Sequence, residues 1–357
     1  KARATSGNGT LSDMAGDYYF PSAALKIQAT DHFSVGLIYD QPFGADATYS
    51  VSDPLVGPGT GLFHANGEAT AVDVTTQNLS LILGYQPTEN WNIYGGAAYQ
   101  TIKGDVKLRG AAYGTTTAFG GYNANIDEDG AVGWLAGIAY QIPEIALTYR
   151  SEIEHSVNIK ESAIPSANPV PSIINNPALA GKPATGSTDI TTPQSVNLDL
   201  QTGIMANTVA FANVRWVNWK DFAIRPYAFG VASGVAGPSL GQPNGFDLIA
   251  YTDDQISATV GVGRKLNDKW AGNVSVGWDS GAGNPISTLG PTEGYWNVGL
   301  GAQFSPTPQT FIAGGVKYFW LGDAAAQPAS MFGTANAIAD FEDNHAIAYG
   351  LKMGYKF

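Results

Sequence analysis

A few clusters in this chain hold residue types that could do chemistry. His155 and Ser156 are adjacent, and Glu152 precedes them, so an acid, an imidazole and a hydroxyl lie within one short stretch. Those are the parts of a hydrolytic triad, but a triad is defined by geometry rather than by adjacency. Asp127-Glu128-Asp129-Gly130 offers hard oxygen ligands of the kind that hold Ca²⁺, without the twelve-residue spacing of an EF-hand, so it reads as a solvated loop tip. The histidines, His32, His64, His155 and His345, never fall into the His-Glu-x-x-His pattern of zinc hydrolases. Gly261-Val-Gly263 lies in an alternating stretch with no helix after it, which leaves no dinucleotide loop. No cofactor and no metal site is expected. Arg150, Glu152 and Glu154 fall on one face of a single strand, where they would line an interior as an ion-pair network.

The element that must position such residues is clearest at the end of the chain. His345–Phe357 reads HAIAYGLKMGYKF. Ile347, Tyr349, Leu351, Met353, Tyr355 and Phe357 share one face, and small or lysine residues share the other. An apolar face bracketed by aromatics and ending the chain suits the closing strand of a membrane barrel. Composition agrees. Apolar residues reach 44%, yet no run is long enough for a membrane helix. Charged residues make up only 13%, about half the usual share in soluble domains. Cysteine is absent, which excludes disulfides and thiolate metal sites, and a net charge of −12 argues against a nucleic-acid partner.

The same alternation recurs along the chain. Phe33–Asp40, Val72–Tyr85, Trp91–Lys103, Ala131–Ile142, Ile145–Val157 and their successors each read as a strand. Short turns and long Gly- and Pro-rich connections alternate between them, as in a barrel with short turns at one end and long loops at the other. Phe33, Trp91 and Trp270 each open a strand just after a short turn, where an interfacial aromatic girdle belongs. The fold class is all-β: a transmembrane antiparallel β-barrel with about thirteen strands legible, where bacterial barrels have even numbers. The expected organisation is a remnant of a first strand and an external loop over residues 1–17, then the barrel over 18–357. Tyr18–Ala29 is the first full strand expected.

Three stretches carry a family resemblance. Ala146-Leu-Thr-Tyr-Arg-Ser-Glu152 resembles the seventh strand of the FadL family of outer-membrane long-chain fatty acid and hydrocarbon transporters. Trp216-Val-Asn-Trp-Lys-Asp-Phe222 is similar to its aromatic strand end before a long loop, and Phe33–Tyr49, with Pro42-Phe43-Gly44, resembles its kinked third strand. The resemblance implies a fourteen-stranded barrel of which the N-terminal hatch and most of the first strand are missing here.

The resemblance also implies a function: passive uptake of hydrophobic small molecules, long-chain fatty acids or hydrocarbons, across the bacterial outer membrane. Capture falls to the external connections Gly104–Gly130 and Asn158–Thr192. Release is lateral, through a gap at the kink Pro42, Phe43 and Gly44. Arg109 and Phe43 are the substrate-binding residues it points to, Arg109 where fatty-acid carriers meet the carboxylate. The family's partner lysine is unmatched near Asp247, which leaves neutral hydrocarbons and aromatics open. Asn176-Pro177-Ala178 repeats a hatch motif in mid-chain and is read as coincidence. The implied partners are outer-membrane lipid and lipopolysaccharide, with barrel-assembly machinery engaging the C-terminal strand. Two alternatives stand beside this reading. A general aqueous porin needs rings of inward charge that are sparse here. A hydrolase would use His155, Ser156 and Glu152.

Overall fold

In the computed structural model the chain forms one large antiparallel sheet with elaborated connections at one end. Residues 2–4, 9–114, 119–141, 143–163, 185–290, 292–331, 334 and 337–357 are described; Asn176-Pro177-Ala178 lies outside them. The wall strands are β1 (Ala23–Gln28), β2 (Phe33–Asp40, resuming as Gly44–Thr48), β3 (Ala71–Tyr85), β4 (Trp91–Lys107), β5 (Tyr122–Tyr140), β6 (Glu144–Arg150, resuming as Ile153–Ala163), β7 (Thr185–Thr192, resuming as Ser195–Met205), β8 (Thr208–Val217), β9 (Gln255–Lys265), β10 (Trp270–Asp279), β11 (Tyr295–Phe304), β12 (Thr310–Leu321) and β13 (His345–Tyr355). Each pairs antiparallel with its neighbours in the chain, from β1 at one edge of the path to β13 at the other.

Local chemistry sets the short turns. Asn267 Oδ1 accepts the N–H groups of Lys269 and Trp270, each at 2.9 Å, between β9 and β10. Thr307 Oγ1 accepts the Thr310 N–H before β12, and Thr30 Oγ1 accepts the Phe33 N–H before β2, both at 3.1 Å. Asn207, at φ 57°, takes the left-handed conformation that asparagine tolerates between β7 and β8.

The outer face of the wall is apolar and uncovered. Leu79, Leu81 and Leu83 on β3, Trp134 and Ile138 on β5, and Leu351 on β13 are all exposed. Aromatic pairs ring the short-turn end: Phe33–Tyr85, Trp91–Tyr140 and Trp270–Phe304, with centroids 5.1, 4.9 and 4.9 Å apart. A second ring lies towards the long connections, where Trp134 meets Tyr149 at 5.1 Å and Trp278, Trp296 and Trp320 align across β10, β11 and β12. From Trp270 to Trp278 the strand runs about 27 Å at roughly 3.4 Å per residue. Tilted by about 40°, that spans most of the ~25 Å apolar band of an outer-membrane barrel. The inner face is polar or small. Tyr94 lies flat over Gly137, where an added Cβ would come within 2.4 Å of the ring, and its hydroxyl shares a 2.6 Å hydrogen bond with Thr148.

Beyond the second ring the polarity inverts. The inward residues become Val72, Ile102, Ile126, Val157 and Ile190, all buried, while Asp73, Lys103, Lys160 and Asp189 face out. There the strands and connections enclose a dry cap, with Phe63, Leu108, Phe229 and Leu248 essentially solvent-free. The connection after β8 contributes α1 (Tyr227–Ala236), whose N-cap is Pro226 and so lacks a side-chain cap. Glu161 supplies one from β6. Its carboxylate accepts the Ala228 and Phe229 N–H groups at 2.6 and 2.8 Å and the Tyr122 hydroxyl at 2.7 Å.

Several sequence expectations shift. Residues 18–22 are not strand; Pro21 has no N–H to give, and β1 begins only at Ala23. Asp127-Glu128-Asp129 is not a loop tip. It lies inside β5, where the register against β4 slips opposite Lys103, and Lys160 binds Asp127 at 2.7 Å. Arg150 keeps its place on the inner side of the wall, but Glu152 and Glu154 do not line the lumen. The ladder breaks at Ser151-Glu152, where Ser151 bonds the Trp134 backbone through both its own N–H and its Oγ. The break advances the alternation by one residue, so Ile153, His155 and Val157 turn in and the two glutamates turn out.

Two outcomes test this architecture. Leu300→Arg, on the outer face of β11, is expected to lower stability in lipid vesicles by about 2–4 kcal/mol. A loss below about 1 kcal/mol in denaturant titration would place that face in water rather than lipid. Glu161→Leu strands two buried N–H groups at about 1–3 kcal/mol each. Hydrogen exchange should therefore accelerate across Tyr227–Ala236 while the wall strands keep their protection.

Candidate functional site

Between β1 and β2 the pairing is interrupted. β1 bonds β2 as far as the pair Ala23–Tyr39, and the two segments next meet at the bridge Ala15–Ala47. Between those points, residues 16–22 and 40–46 face each other with no ladder among the described residues. Tyr18, Tyr19 and Phe20 form one lip and are 69, 90 and 65% exposed.

Pro42, Phe43 and Gly44 form the other lip. On the β3 side, Asp40 pairs with Asn78 and Gly44 with Thr75, so residues 41–43 stand opposite only 76 and 77. The extra residue makes a bulge at the proline, which cannot donate to a ladder. Thr76 holds it: its buried Oγ1 accepts the Phe43 N–H at 3.0 Å and donates to the Phe43 carbonyl at 2.6 Å.

The Phe43 ring meets Trp219, just past the end of β8, edge-on at 5.4 Å. Trp219 also packs on Phe222 at 5.2 Å and on Tyr251 at 4.9 Å. Its indole N–H donates to Gln255 Oε1 at 2.9 Å, and Gln255 donates in turn to Asp279. Asp254 secures the same turn. Its partial burial acts to raise the carboxyl, but donation from Asn218, Trp216 and the Lys220 N–H prevails and holds it below the usual range. Burial pushes the Tyr251 phenol up. The arrangement is a cluster of packed rings beside a stretch of wall without ladder bonds.

Arg109 does not join it. Its side chain is buried, and its donors are taken by Glu68 at 2.7 Å, the carbonyls of Leu108 and Tyr122 at 2.9 and 3.0 Å, and Asn123 Oδ1 at 2.7 Å. Within the barrel, Arg150 and Asp40 both act electrostatically on Arg215. His155 is buried between Asp129 and Gln100, each at 3.2 Å, and Thr192 also donates to Gln100 at 2.8 Å. Ser156 faces the opposite side of the strand and donates to Asp189 at 2.7 Å. His155 therefore cannot take the Ser156 proton, and exposed Glu152 does not orient the imidazole, so the triad parts are not assembled.

The kink residues were legible in the sequence; Trp219 was noted only as part of an aromatic strand end, and Tyr251 and Thr76 were not singled out. Trp219 and Phe222 stand out as aromatics in an otherwise polar stretch, whereas Thr76 gives no signal.

No curated protein sequence matches the chain. Among solved structures, a Pseudomonas aeruginosa FadL homologue superposes with a TM-score of 0.66 over 94% of this chain and 77% of that one, at 16% identity. The P. putida toluene transporter TodX gives 0.63 over 100% and 86%, at 11% identity. The Ralstonia pickettii toluene transporter TbuX gives 0.54 over 99% and 84%, at 10% identity. At such identities the likeness concerns the fold. A family model described as outer membrane protein transport protein (OMPP1/FadL/TodX) matches residues 1–357. With the outward apolar band and its two aromatic rings, the match means that the chain belongs to this family, as a transmembrane β-barrel of the bacterial outer membrane.

Proposed function

We propose that the protein carries neutral hydrophobic molecules, small aromatic hydrocarbons above all, passively across the outer membrane, and releases them sideways through the wall at Pro42, Phe43 and Gly44. The observation that carries this reading is the unbonded stretch between residues 16–22 and 40–46, with the Phe43–Trp219 cluster on its inner side. Unpaired backbone in lipid costs several kcal/mol per group by order of magnitude. A wall that leaves such a stretch open, with the rings of Tyr18, Tyr19, Phe20 and Phe43 set among Asp17, Asp40 and Asp46, offers aromatic contact to an apolar passenger in transit. Lateral release also spares that passenger a water-filled exit.

The apolar cap supports capture from outside, and the connection Gly104–Gly130 contributes to it through Leu108, Tyr113 and Tyr122. Two of the structural neighbours are toluene transporters by name, which favours aromatic cargo over fatty acid. Arg109 favours it too. A carboxylate arriving there would have to displace Glu68 and Asn123 from a buried guanidinium, so the residue acts as a brace of the cap. No bond is made or broken in passage, and no catalytic group is required.

Deleting Pro42 leaves Gln41 and Phe43 opposite Gln77 and Thr76 and restores an even register. Uptake of radiolabelled toluene by cells bearing this variant should fall well below wild type, at equal amounts of folded barrel. Undiminished uptake would remove the lateral route. Arg109→Met should slow toluene and oleate by the same factor; a loss confined to oleate would return Arg109 to the role of carboxylate site.

A further inference from the structure

Phe43 sits where an aromatic passenger would be expected to sit. The two rings of the Phe43–Trp219 contact are held very differently. Trp219 is fixed by its indole bond to Gln255, by the Gln255–Asp279 bonds behind it, and by two more rings, Phe222 and Tyr251. Phe43 hangs from a bulge. Its backbone is tied to Thr76, and its one ring contact among the described residues is the T-shaped pair with Trp219. An edge-on ring pair is directional, because the rim of one ring meets the face of another. A second aromatic molecule offers the same rim; an alkyl chain does not.

We propose that Phe43 is a built-in occupant of the Trp219 site, and that an incoming aromatic ring displaces it, so that Trp219 sets the preference for aromatic over aliphatic cargo. The proposal rests on the uptake reading above and adds to it a specificity residue and the internal competitor for its site. Displacement also detaches the kink from the turn after β8, which joins arrival of the cargo to freedom of the exit. Phe43→Ala removes the competitor and leaves the site whole. Trp219→Leu removes the site. Trp219→Phe keeps a ring there.

The test is equilibrium dialysis of toluene and of octane against the purified barrel in lipid nanodiscs, with an unrelated barrel as blank. Toluene should bind up to about tenfold tighter to Phe43→Ala and about tenfold weaker to Trp219→Leu, the scale of one ring pair. Trp219→Phe should stay near wild type, and octane should change little across the series. Equal changes for toluene and octane, or toluene binding that ignores all three substitutions, would overturn the proposal. Whole-cell toluene uptake measured in parallel separates the two claims. Wild-type binding that follows the predicted pattern without any uptake sinks the transport reading and leaves the displacement intact.

Discussion

In hydrocarbon, every peptide N–H and C=O must find a partner within the protein, because no water is there to serve. The wall meets that demand strand by strand. Its ladder runs from β1 to β13, and the side chains on either side merely decide which face meets lipid. The break at Gln41–Phe43 has to be read against that demand. Thr76 repairs it in part, taking the Phe43 N–H and giving its own proton to the Phe43 carbonyl. Across the gap from the kink, no such repair exists over residues 16–22 among the described residues. A run without ladder partners beside a bulge is a better pointer to function than any charged cluster in the chain.

The strands were legible because their alternation is strict and their turns carry recognisable residues. Phe33–Asp40 and Thr310–Leu321 begin and end where periodicity puts them. What was misjudged is where some of them stop: β3 starts within a residue of the expected Val72, but β4 runs on past Lys103 to Lys107 and β5 starts at Tyr122 rather than Ala131. On β3 the apolar positions pass from Leu79, Leu81 and Leu83 to Val72 and Val74, so the pattern changes phase without losing its period. The same reversal appears on β4 between Tyr99 and Ile102. A reader who tracks only the lipid-facing phase takes the reversed part for loop, whereas the strand continues and its surroundings change from lipid below to water above.

The site was half legible. A proline beside a glycine in an alternating run marks a break whatever surrounds it, so the kink could be placed from the sequence. Arg109 was singled out from the family resemblance, but no one-dimensional pattern reveals that Glu68 and Asn123 already hold it. Glu152 and Glu154 failed for a geometric reason: one unpaired residue at Ser151-Glu152 shifts everything after it, and serine gives no warning of a bulge. Trp219 reaches Phe43 from the far side of the sheet order, a proximity that only the curling of the wall creates.

The cap and the wall also differ in how far apart their partners lie along the chain. Wall hairpins join neighbours, while the cap ties Tyr49 to the Thr288 carbonyl and Tyr113 to the Thr288 hydroxyl, over separations of 239 and 175 positions. Contacts of such range form only after the intervening segments have been brought together. The adjacent-strand pairings of the wall therefore need less of the chain brought together than the cap contacts do. Damage confined to the cap leaves every adjacent-strand pairing of the wall with its partner.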